Sequence, residues 1–242
     1  MNIRNTLSEK LQAEKYDCTD TILVLRKIPE FAYLYSLLNS KKRSYNLEKH
    51  TIMVCNMFEN YFSSNYNNKE FEIDKFRLLL CLHDIGKPLS IIDNQKEKQS
   101  QYTIKIIDKY KDLFPFSENH YRIALALISD DPLGLYIRGK IDINEANKRI
   151  INMVLYSGLS IKVFMELLTI YYQVDASAYT REGYIGIIDD FIEKPKLEAI
   201  FAKSNEDKLI YLSDRRRFLF SVVIENKYEE LLEMLGIGIK YG

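Results

Sequence analysis

Apolar residues recur every three or four positions along almost the whole chain, and no stretch alternates with the period of two that a half-buried strand requires. The spacing predicts helices over residues 5–15, 19–28, 30–39, 47–62, 74–84, 100–112, 118–129, 144–156, 160–179, 186–203 and 206–235, the last one broken. Punctuation falls at Pro29, at the polar run Ser63 to Asn68, and at Asp130-Asp131-Pro132-Leu133-Gly134, read as a turn that opens the longest non-helical stretch. No linker divides the chain, so the expected fold is all-α: one globular helical core with accessory helices at both ends.

Helical phase then says which polar residues face inward. Leu47, His50, Val54, Met57, Phe58 and Tyr61 share one stripe, which places His50 toward the core. Ile161, Phe164, Leu168, Tyr171 and Asp175 share another that ends on a carboxylate, and Phe76, Leu79, Leu80 and His83 form a third, with Asp84 one step around. The His83-Asp84 doublet is the hardest to explain as packing. It closes the apolar run Leu78 to Leu82, where a carboxylate costs several kcal/mol unless a metal, a cation or dense hydrogen bonding compensates its desolvation. Taken singly, each residue has a plainer reading. An inward histidine is more often a hydrogen-bonded core residue than a ligand, Asp175 can pair with a buried arginine or cap a helix, and Lys87 can be a solvated charge. His120 follows Ser117-Glu118-Asn119 and reads as a surface residue of a first helical turn. Asp130-Asp131 reads as a helix end, with a carboxylate role in a pocket as the alternative.

Taken together, His50, the run Leu82-His83-Asp84-Ile85-Gly86-Lys87-Pro88 and Asp175 resemble the signature of the HD-domain superfamily of metal-dependent phosphohydrolases: a lone His, a His-Asp doublet, a distant Asp. The resemblance covers residues 47–180, about half the chain, and leaves 1–46 and 181–242 as accessory helices. It implies an all-helical core in which His50, His83, Asp84 and Asp175 hold one divalent ion (Mn, Mg, Fe, Co or Ni), with positions left for water and a phosphate oxygen. The implied activity is hydrolysis of a phosphate ester or anhydride, of the nucleotidase or nucleoside triphosphate hydrolase type. Asp84 would orient or deprotonate the attacking water, and Lys87 would contact phosphate. Branches with further metals carry extra histidines before the last Asp. Here only His120 is available and Lys98-Gln99-Ser100-Gln101-Tyr102 holds none, so a second metal is not expected. The alternative is a non-catalytic HD module that binds a protein or RNA partner. The Ile85-Gly86-Lys87-Pro88 tail also resembles the HD segment attached to some tRNA nucleotidyltransferases, although no nucleotidyltransferase domain is present.

Charge narrows the partners. Lys plus Arg and Asp plus Glu are both 34, so no overall field attracts RNA or an anionic membrane, and anion binding has to be local. Arg43 and Arg181 are nearest in sequence to the four residues and are the phosphate-clamp candidates, and Tyr179, one turn past Asp175, is the candidate for stacking a base. The expected partner is a small phosphorylated substrate; the oligomeric state stays open. Cys18, Cys55 and Cys81 are an odd set without metal-type spacing and read as reduced core thiols of a cytoplasmic protein. No stretch reaches the ~20 apolar residues of a membrane span, and the N-terminus carries no apolar signal region.

Overall fold

A computed structural model describes residues 2–38, 46–137, 139–178, 227 and 229–237. The fold is all-α: helices α1 (Ile3–Leu11), α2 (Cys18–Leu25), α3 (Pro29–Ser36), α4 (Leu47–Tyr61), α5 (Ile73–Leu82), α6 (Lys87–Ile92), α7 (Gln99–Lys109), α8 (Glu118–Ser129), α9 (Pro132–Ile137), α10 (Ile143–Ser157) and α11 (Ile161–Ser177). The one extended contact among the described residues is an isolated bridge between Leu38 and Asn46. The side chains of Asn2, Asp17, Asn46, Ser117, Asp142 and Ser160 each accept from a first-turn N–H, so six helix starts are fixed by residues chosen for that position. Of the predicted helices, 186–203 and most of 206–235 lie outside the described residues; 229–234 are helical. Among the described residues no single helix is long and apolar enough to cross a membrane.

Two short helices fall outside the predicted ones. After α5 ends, Gly86-Lys87-Pro88 starts α6, and the stretch after Asp131, expected to be non-helical, is α9. Each has proline in its first turn, where the missing N–H has no intrahelical acceptor to lose and the fixed φ suits the helix. Asp131 caps α9 by accepting from Gly134 N at 2.9 Å, and Asp130 accepts from Arg149, so both acids act at helix ends.

The fold is built around α5. Phe76, Leu78, Leu79, Leu80, Cys81 and Leu82 are all buried, an apolar surface on every side that matches a helix enclosed by α1, α2, α4 and α8. The rings of Phe58, Tyr66 and Phe76 pack edge-on or tilted beside it, with centroids within 5.5 Å of one another. The buried Arg77 guanidinium donates twice to Glu59 at 2.8 Å and once to Leu11 O at 2.9 Å, tying the end of α1 to α4 and α5. The first helices therefore share one core with the rest. Gly158 ends α10 with φ +76, a conformation that favours glycine, and the chain turns by 108° into α11, which packs on α4.

Gly86 sets the spacing between the α5–α6 corner and α7. A Cβ there would lie 2.2 Å from Thr103 N and 2.4 Å from the Tyr102 carbonyl carbon, both backbone atoms, and Gly86 N already donates to Thr103 Oγ1 at 3.1 Å. Gly86→Ala is therefore expected to push α7 outward and to cost about 1–3 kcal/mol, the range of overpacked cores. Urea unfolding checks this; an unchanged midpoint would contradict the close approach.

Candidate metal centre

Three helices converge on one point. Phase along α4 aims His50 inward and it is fully buried; α11 delivers Asp175 close to its C-terminal end; α5 supplies the doublet. The helix expected to reach residue 84 stops at Leu82. His83 is its C-cap residue, and Asp84 sits in the turn toward α6.

The donor atoms alternate in sign around the centre. His50 Nε2 lies 3.2 Å from Asp175 Oδ1 and 3.4 Å from Asp84 Oδ2, while His83 Nε2 lies 3.6 Å from Asp175 Oδ1 and 3.7 Å from Asp84 Oδ2. All four lie within 4.8 Å of one another. Donors bound to one cation at ~2.0–2.2 Å stand roughly 3–3.5 Å apart, so small movements bring this set around a single ion. His83 Nδ1 donates to Leu80 O at 2.6 Å, which fixes the tautomer and leaves the Nε2 lone pair facing the centre. That Nε2 is buried without a hydrogen-bond partner. A buried acceptor aimed at two carboxylates is out of place in a purely structural cluster and in place as a metal ligand.

The electrostatics keep both carboxylates ionised. Burial works against ionised Asp84, but the Lys87 ammonium, His83 and a hydrogen bond with His50 outweigh it and hold the carboxyl well below the usual carboxylate range. For Asp175 burial again acts upward, and the His50 and His83 imidazoles bring the carboxyl well below its ordinary value; its side chain is 37% exposed, so water screens part of this effect. Burial disfavours protonated His83, yet the Asp84 and Asp175 carboxylates draw its pKa up. A cation would take the place of that proton.

Asp84 is held on both oxygens. Oδ2 accepts from Lys87 Nζ, and Oδ1 accepts from Gln99 Nε2 at 2.6 Å. Lys87 is thus buried and engaged with a carboxylate rather than extended into solvent. Gln99, the first residue of α7, has a role that the sequence analysis did not assign: nothing in a polar run distinguishes one amide from the next, and only the close passage of α7 over Gly86 brings it to the doublet. His120 stands apart from the group, in the first turn of α8, with Nε2 3.1 Å from Glu72 and its ring edge-on to Phe71. Arg43, Tyr179 and Arg181 lie outside the described residues.

No protein-family model, curated protein or solved structure matches this chain.

Proposed function

We propose that this chain is a metal-dependent phosphohydrolase of the HD type, using one divalent ion held by His50, His83, Asp84 and Asp175 to hydrolyse a phosphate ester or anhydride, with nucleotides as the substrate class. The observation that carries the reading is the buried, unpartnered Nε2 of His83 facing two carboxylates whose oxygens also face His50. A bound divalent ion supplies a Lewis acid that acidifies water and polarises a phosphoryl oxygen.

The remaining work falls to the chain. Leu80 O and the tautomer it fixes orient His83; Gln99 and Lys87 hold the Asp84 carboxylate so that it keeps one orientation. A carboxyl held so far below neutrality is a weak base, which favours Asp84 as a ligand that orients water over Asp84 as a proton acceptor. Lys87 keeps its ammonium beside the centre, where an incoming phosphate oxygen would meet it.

The test is metal analysis of the protein reconstituted with manganese, followed by a phosphate-release screen over nucleoside mono- and triphosphates. One ion per chain and release from at least one nucleotide are expected. His120→Ala should leave both unchanged, because that imidazole is committed to Glu72 and Phe71 rather than to the centre. One ion with no release from any phosphate ester would favour the non-catalytic module. A second ion lost on His120→Ala, or cleavage of cyclic dinucleotides ahead of every mononucleotide, would overturn the single-metal assignment.

A further inference from the structure

The chain has three cysteines, and all three meet at one point although 37 and 26 residues separate them in sequence. Cys18 from α2, Cys55 from α4 and Cys81 from α5 are free and buried. Cys81 Sγ lies 3.7 Å from Cys18 Sγ and 3.9 Å from Cys55 Sγ, and every pair is within 4.8 Å. In an equilateral triangle of such edges the centre is about 2.2 Å from each sulfur, close to the ~2.3 Å of a metal–thiolate bond. A disulfide would use two sulfurs, strand the third and require closure to ~2.05 Å.

Sulfur donors select soft ions, and charge selects among them. Three thiolates leave −2 around a monovalent ion, −1 around a divalent one and zero around a trivalent one. The surroundings offer little compensation: Tyr16 Oη is 3.6 Å from Cys81 Sγ, and the Arg77 guanidinium above the Tyr16 ring is already bound to Glu59 and Leu11 O. An anionic complex in this apolar core would carry a large desolvation cost; a neutral one would not.

We propose that Cys18, Cys55 and Cys81 form a second site, separate from the His/Asp centre, which binds trivalent arsenic or antimony through three sulfur bonds. With arsenous acid, three As–O bonds are exchanged for three As–S bonds. Each hydroxyl leaves as water, with the proton of a thiol or, where Cys81 reacts as a thiolate, with one from solvent; no electron is transferred, and the product is neutral. Burial pushes the Cys18 and Cys55 thiols up, whereas the Cys18 and Cys55 hydrogen bonds pull Cys81 well down.

The experiment is titration of the full chain with sodium arsenite in a phosphine reductant, followed by native mass spectrometry, thiol counting and far-ultraviolet circular dichroism. One arsenic per chain, loss of three titratable thiols and an unchanged helical spectrum are expected. Cys55→Ala should weaken binding at least 100-fold; Cys18→Ala serves the same purpose should the first variant not fold. Asp175→Asn should leave arsenic binding intact. No binding, binding that persists in a cysteine variant, uptake only with loss of helical signal, or preference for monovalent copper over arsenite would each overturn the proposal.

Discussion

His83→Ala is expected to leave the purified protein essentially without metal after dialysis, with affinity lowered by more than 100-fold. Losing an outer partner of a metal-ligating histidine already costs about 10–100-fold, and here a donor itself is removed. The substitution takes away the imidazole whose tautomer Leu80 O fixes and whose Nε2 faces both carboxylates. It also leaves Asp84 and Asp175 with less positive charge nearby, so they should draw protons in place of a cation. Elemental analysis checks the result, and circular dichroism has to show the helices intact. Full occupancy in His83→Ala, or no ion in the parent protein after manganese reconstitution, would remove the metal centre from consideration.

The second large effect concerns Asp84 and Lys87. Asp84→Asn keeps the shape but removes the charge that meets Lys87 and faces His50, and turnover should fall ~10³-fold or more. Lys87→Met acts first on stability. It leaves a buried carboxylate without its ammonium, and breaking such a pair from one side costs about 3–5 kcal/mol. The double variant Asp84→Asn/Lys87→Met should recover most of that loss, since no uncompensated charge remains. Urea unfolding of the four proteins gives the coupling directly. Additive losses would mean that the two side chains do not depend on each other, and full turnover in Asp84→Asn would exclude it from the reaction.

Both predictions rest on residues that are legible in the sequence alone. The doublet stood out because a charge does not belong at the end of an apolar run, and His50 and Asp175 because phase placed them among buried neighbours. What phase could not supply was the end of α5. The helix stops at Leu82 rather than residue 84, and Asp84 sits in the turn that follows. Pro132 reads as a break because a proline in a first turn and a proline after a helix look alike until the cap is seen. Gln99 and the meeting of the cysteines depend on long-range packing, which leaves no local mark in the sequence.

Viewed as a polymer, the chain is pinched at the centre: His50 and Asp175 touch across 125 residues. An ion gripping both ends closes a loop that contains α5 through α10 and acts on the unfolded ensemble as a cross-link does. For a span of this length the closure entropy is worth about 4–5 kcal/mol, comparable with a long-range disulfide. With an ion bound there, stability and metal supply would be one variable, and withdrawing the ion would lower the free energy of global unfolding by about that amount.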